Sequence, residues 1–334
     1  PCATGMNADC GQIGALGVGC KPLGGTVRHV RADGSGEYMT IQHAINNCVG
    51  GDIVELADGV YVGTGNWDVS TIGKRIVVRS ASGDPGACRL DLQHAHRGFV
   101  FDDGEDEETV ITGIGIHNGE AATGGGILCY GSSPTLMELE INDCNATDDG
   151  GGLHCEAYAS PSVIDCVFIS NSAQDDGGGL YAYNWSSPTV TGCVFSNNAA
   201  GDRGGGATFS VNCFPELSGC TWEANTAVNG GGLIFVYAYG PVTDCAFTGN
   251  TATYGGGFQG YGNAQVTLTR CTLNGNTAPN GANVYVRNNS SPTFTNCIVS
   301  FGLGGASFAR YADDCNPTLV CSDVHGNEYG DWVA

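Results

Sequence analysis

GGGLYAYNWSSPTVTGCVFSNNAAGDR, from Gly177 to Arg203, is one unit of a chain that repeats itself. Leu180 and Ala182 share one face, Val190 follows a Ser-Pro turn, and Cys193 and Phe195 share another face. Alternation in pieces of three to five residues, broken by Gly, Ser-Pro and Asn, predicts short strands rather than helices. Glycine triplets begin at Gly124, Gly150, Gly177, Gly204, Gly230 and Gly255, in steps of 26, 27, 27, 26 and 25, and a degraded copy, NGAN, follows at Asn280. A period in this range marks a solenoid or a propeller.

The columns of the repeat choose between them. Cysteines recur at Cys166, Cys193, Cys220, Cys245, Cys271 and Cys297, in a column opened by Leu139 and closed by Ser322. Two residues later stand Ile141, Phe168, Phe195, Trp222, Phe247, Leu273, Val299 and Val324. Three further on come Asn171, Asn198, Asn225, Asn250, Asn276 and Asn327, with Cys144 and Gly302 as exceptions. In a propeller, like residues of successive repeats lie far apart, whereas in a coil they stack about 4.8 Å apart, where rings fill an interior and amides form ladders. Like-on-like columns select the coil, and crossover connections of parallel strands are right-handed. The expected fold is an all-β, single-domain, right-handed parallel β-helix of about 10 to 11 rungs, with three short strands in each rung.

Ahead of the triplets the organisation changes. Residues 1–23 form a Cys-containing segment, 24–65 a cap and first rung, 66–123 irregular early rungs, and 124–334 the regular rungs. Thr40 is placed to cap a short helix over Ile41 to Cys48, with Ile41, Ala44 and Ile45 on one side, covering the open end of the first rung. At the other end PTLVCSDVHGNEYGDWVA, from Pro317, carries no polar cap. The expectation is that the chain continues past Ala334 or that this edge meets a partner, another copy included.

Composition narrows the partners. Twelve Lys plus Arg against 34 Asp plus Glu give a formal charge of −22, which excludes the basic track that nucleic acid requires. No apolar run approaches the length of a membrane span. Seventeen cysteines point to a secreted or cell-surface protein, and their odd number leaves at least one thiol free or paired with another chain.

The GGG[ILAF] and [FW]xxN pairing, as in GGGL at Gly177 with FSNN at Phe195, and the stretch TIQHAINNCVGGDIVELADGVYVG resemble the pectin-lyase-like right-handed parallel β-helix repeat proteins. The repeat is also similar to that of chlamydial polymorphic outer-membrane proteins. The resemblance spans about Gly24 to Trp332 and implies the fold, which hosts lyases, hydrolases, epimerases, adhesins and scaffolds alike.

The residues that remain for chemistry are few. Asp148, Asp149, Asp175, Asp176 and Asp202 each precede a glycine triplet and so fall in the same turn of consecutive rungs. They are open to three readings, solvated turn residues, paired carboxylates for glycoside hydrolysis, or ligands to calcium, the one cofactor the sequence suggests. Resemblance to pectate lyases would make Arg203, beside Asp202, a proton-abstracting base. The Gly-His-Gly and Arg-x-Lys motifs of polygalacturonase-type hydrolases are absent. His94 and His96 have metal-like spacing but read as a surface turn. Tyr181, Tyr183, Tyr237 and Trp185 fall on the outside of rungs, where they could stack on sugars. The cysteine column reads as interior packing, as does the short column Cys129 and Cys155. Disulfides are expected between Cys48 and Cys88, between Cys315 and Cys321, and among Cys2, Cys10 and Cys20. The function expected from these features is a secreted or cell-surface structural or adhesive module, self-assembling head to tail into a filament or contacting surface glycans. The alternative is a calcium-assisted lyase or another enzyme acting on acidic glycans.

Overall fold

The computed structural model describes residues 25–312 and 314–333. They form a right-handed parallel β-helix of about eleven turns. Three long sheets run its length among the described residues, with 12, 11 and 11 strands, and every strand pair is parallel. The first sheet runs from Val27–Val30 to Thr318–Val320, the second from Gly59–Tyr61 to Asp323–His325, and the third from Val69–Ser70 to Trp332–Val333. A short fourth sheet, Glu120–Ala121 to Ala199–Ala200, lies between the second and third. The early strands Val77–Ser80 and Cys88–Asp91 pair in register with Val110–Thr112 and Gly115–His117, and Phe99–Phe101 pairs with Ile127–Tyr130 of the first triplet-bearing rung.

One helix, Ile41–Asn46, stands at the amino-terminal side, and Thr40 Oγ1 accepts from His43 N at 3.2 Å as its N-cap. Its buried residues, Ile41, Ala44 and Ile45, join the core beside Val54 and Leu56. In the strands nearest the carboxyl-terminal side, Leu319 and Val320 are exposed.

The triplets owe their composition to two constraints. The leading residue, such as Gly177, has φ +68°, a left-handed conformation that a side chain disfavours. The second, such as Gly178, lies against the next rung: a Cβ there would be 2.4 Å from Ala199 O and 2.5 Å from Gly205 O. Only glycine allows this approach.

Inside the coil, like residues stack. Phe168, Phe195, Trp222 and Phe247 are nearly parallel, with centroid spacings of 4.7, 5.3 and 4.8 Å. Next to them Asn171, Asn198, Asn225, Asn250 and Asn276 form a buried ladder. Asn225 is representative: its Nδ2 donates to Phe195 O and Asn250 Oδ1, both at 2.9 Å, while its Oδ1 accepts from the backbone N and Nδ2 of Asn198, both at 3.0 Å. Every polar atom of the amide is thereby satisfied in a medium where an unpaired one is costly. At the end of the run Asn283 Oδ1 accepts from Asn276 Nδ2 at 2.8 Å, and Asn327 Oδ1 accepts from Gly302 N at 2.8 Å.

All fourteen described cysteines are free thiols, thirteen of them buried and Cys321 exposed. The expected Cys48–Cys88 and Cys315–Cys321 disulfides are therefore corrected, while Cys2, Cys10 and Cys20 lie outside the described residues. Cys48 points its thiol at Ala44 O within the cap, 3.3 Å away, whereas Cys88 sits at the start of a strand in the second sheet. Along the column each thiol turns to backbone, as Cys193 Sγ does toward Thr191 O at 3.4 Å and Val163 O at 3.5 Å. Burial pushes Cys88, Cys144 and Cys213 up to about 12, so they stay protonated and unreactive.

Two outcomes are expected. Asn225→Ala orphans the backbone N and Nδ2 of Asn198 and the carbonyl of Phe195 on the preceding rung and should cost about 3 kcal/mol in urea unfolding; an unchanged midpoint would contradict the ladder's role. Peptide mapping after alkylation of native protein should find Cys321 modified and Cys166 to Cys297 untouched until denaturant is added.

Candidate functional site

Each third-sheet strand has a second residue that points away from the interior: His154, Tyr181, Thr208, Ile234, Gln259 and Tyr285 lie in register on successive strands. Alternation alone would leave them in solvent. They are instead buried, with exposures between 0 and 7%. The preceding turn folds back over them, so that a Cβ added to Gly150 would sit 2.9 Å from His154 Cβ and one on Gly177 would sit 2.7 Å from Tyr181 Cβ. Tyr181, expected on the outside, is thus covered; Tyr183 is half-buried, while Trp185 and Tyr237 are exposed.

The covering turns carry the acids predicted from sequence, in two rails. Asp148, Asp175 and Asp202 form the outer rail, joined by Asp175 N to Asp148 O at 3.0 Å and Asp202 N to Asp175 O at 2.8 Å. Asp149 and Asp176 begin the inner rail, with Asp176 N donating to Asp149 Oδ1 at 3.0 Å, and Arg203, Asn229, Tyr254 and Asn280 continue it. Carboxylate oxygens of Asp148, Asp149 and Asp175 all lie within 4.8 Å of one another, and so do those of Asp175, Asp176 and Asp202.

Burial pushes Asp149 up to about 6, reinforced by Asp148 and Asp175. Burial likewise pushes Asp176 up to about 7, with Arg203 opposing the shift and the neighbouring acids adding to it. Arg203 closes the stack with Nη1 3.2 Å from Asp176 Oδ2 and Nη2 3.4 Å from Asp202 Oδ2. Burial opposes its charge, but the carboxylates outweigh burial and raise its pKa. A guanidinium so held is a poor proton acceptor, which weighs against Arg203 as a base.

Several residues of this face carry no motif. His154 packs on Tyr181, with ring centroids 5.2 Å apart, and lies 3.5 Å from Glu156 through Nε2. Burial lowers the His154 pKa, and Arg97 adds to the effect. Arg97 Nε donates to Thr123 O at 2.9 Å, in the turn one rung before Asp149. Buried polar atoms without a hydrogen-bond partner concentrate here: His154 Nδ1 and Nε2, Asp176 Oδ1, Arg203 Nε, Asn229 Oδ1, both amide atoms of Gln259, and Arg287 Nε. Native interiors satisfy such groups. The available signal was a polar residue two places after a triplet, as in GGGLHC and GGGFQG, which reads as ordinary outward alternation.

The remaining candidates lie elsewhere. His96 Nδ1 is 2.9 Å from Asp68 Oδ2 and its ring stacks on Trp67 at 4.0 Å, whereas His94 is exposed. Cys129 and Cys155 are in-register interior neighbours. Trp185 stacks on Tyr158 at 6.5 Å in the turn that leaves the third sheet.

No curated protein matches the chain in sequence. Among solved structures it is similar to the catalytic unit of a thermostable GH87 α-1,3-glucanase from Streptomyces thermodiastaticus strain HF3-3, at TM-score 0.48 and 14% identity, over 94% of this chain and 71% of that one. It is similar also to pectate lyase Pel9A, at TM-score 0.40 and 13% identity over 93% and 82% of the two chains. A rhamnogalacturonan lyase aligns at TM-score 0.42 and 12% identity over 91% and 88%. The family model for the right-handed beta helix region matches residues 88–243 and 218–334, and with its rungs, columns and three parallel sheets the chain belongs to that family.

Proposed function

We propose that the chain is an extracellular carbohydrate-binding β-helix that holds an acidic glycan on the outer face of its third sheet, through a divalent cation on the acidic rails. The carrying observation is the pair of carboxylate triads that share Asp175. Two oxygens bound to one calcium at about 2.4 Å lie no more than about 4.8 Å apart, so each triad fits around a single ion. The unpartnered Asp176 Oδ1 supports the same reading, since a buried carboxylate oxygen calls for a donor or a cation. Asp148, Asp149 and Asp175 would hold one ion, and Asp175, Asp176 and Asp202 the alternative position. Calcium bound there would cancel carboxylate charge and bridge to an anionic ligand that a protein of charge −22 otherwise repels.

Between the readings open from the sequence, this geometry favours engagement of glycans over end-to-end assembly, because it concentrates acids and unpartnered polar groups on one lateral face. Within the carbohydrate reading it favours binding over elimination, since Arg203 is pinned between two carboxylates. Described residues include no helix long and apolar enough to cross a membrane. An extracellular location suits a calcium site of modest affinity.

Isothermal titration with calcium should give heats for the wild type that fall away in Asp175→Asn, which removes a ligand from both triads. Equal heats in the two proteins would rule out the cation site. With calcium and polygalacturonate together, ultraviolet absorbance should show no unsaturated product, and its appearance would replace binding with lyase activity.

A further inference from the structure

The far end of the same face has the opposite character. Along the inner rail the residue type changes from Asp149 and Asp176 through Arg203 and Asn229 to Tyr254 and Asn280. On the third sheet, Tyr261 and Arg287 are register partners, as are Gln259 and Tyr285 two residues earlier on the same strands. The Arg287 guanidinium lies 4.5 Å from the Tyr261 ring centroid and 5.9 Å from that of Tyr254, so it bridges the sheet and the covering turn. Tyr254 packs in turn on Tyr285, at 5.2 Å.

This arginine differs from others in the chain. Arg28, Arg75, Arg79, Arg203 and Arg270 each sit against a carboxylate. With 34 acids to 12 bases, such pairing is the default. Arg287 instead rests on tyrosines, and its buried Nε has no hydrogen-bond partner. Diagonal to it in the register, on the neighbouring strand, Gln259 is wholly buried, with neither amide atom partnered. A planar fork of donors held between aromatic rings, next to an unpaired amide, matches the carboxylate or sulfate of a ligand in geometry and sign.

We propose that Arg287, framed by Tyr254 and Tyr261 with Gln259 alongside, is an anion subsite that receives a carboxylate or sulfate group of the bound glycan. The subsite rests on the reading that this face holds an acidic glycan, and it adds a direct contact remote from the cation. Four strand steps, from Leu180–Tyr183 to Val284–Arg287, separate it from the rung that Asp175 and Asp176 enter. At about 4.8 Å a step the span is about 19 Å, which an oligosaccharide laid along the coil axis can cover. A metal at one end and a guanidinium at the other would fix both its register and its direction.

The test titrates the full chain, wild type, Arg287→Gln and Arg287→Lys, with a galacturonate hexamer, a sulfated hexasaccharide and a neutral hexasaccharide, each with calcium and again with EDTA. Arg287→Gln should weaken one of the anionic ligands about tenfold, the loss expected for one charge-assisted contact, and leave the calcium heats unchanged. Arg287→Lys, which keeps the charge but not the planar fork, should fall between, and the neutral ligand should not discriminate among the three proteins. The anionic ligand that suffers the larger loss identifies carboxylate or sulfate as the group received. Thermal melting of both variants within a degree of wild type confirms that the fold is retained. Undiminished affinity of Arg287→Gln for both anionic ligands overturns the subsite, as does a wild type that binds neither in calcium or in EDTA. Failure of the cation reading shows separately, as calcium heats that survive in Asp175→Asn while the Arg287 comparison in EDTA still reads out.

Discussion

Successive rungs lie one β-sheet spacing apart along their whole length, and that spacing constrains everything else in the molecule. Each interior side chain has a copy of its own position above and below it, close enough to touch. A residue type persists in a column only if it can pack on, or hydrogen-bond to, another of its kind. Phenylalanine succeeds through parallel rings, and asparagine through an amide that donates upward and accepts from below. Cysteine succeeds for a different reason: it is small, and its thiol finds carbonyls of its own and the preceding rung.

The same spacing shapes the surface. Because the turn before each third-sheet strand must pass within backbone distance of the next rung, it is built from glycine, and because it is glycine it folds flat over the strand that follows. Residues that point outward from the sheet are thereby trapped beneath a second layer. The acids on that layer inherit the rung spacing and are stacked without choice, which is why five carboxylates from three rungs converge. A device that makes the fold regular also makes an electrostatic problem, and Arg203 relieves it only at one end. In the proposed function, a cation relieves the rest.

The interior was legible from one repeat because its columns announce themselves: Asn198 predicts Asn225, and Phe195 predicts a ring at position 222. The glycine triplets and Thr40 gave the turns and the cap by local chemistry alone. The acidic rails were legible as a recurrence before each triplet, although nothing in the sequence separates the exposed Asp175 from the buried Asp176 beside it. The free state of Cys48 and Cys88 was not legible, since cysteine count and spacing carry no information that one follows the cap helix while the other opens a strand of the second sheet.

What the sequence by itself determined is the set of residues that stack, for stacking acts between identical positions and leaves a period in the chain. Tertiary structure alone decided which outward residues are covered. His154, Tyr181, Gln259 and Arg287 differ in kind from rung to rung and leave no column, and alternation assigns them to solvent. The burial of the first three and the company of the half-buried Arg287 arise when a turn from one part of the rung closes over a strand from another, bringing Tyr254 to Arg287 and the carboxylates to Arg203. Contacts of that sort depend on the path of the backbone in space, which no pattern of residue types along a single strand records.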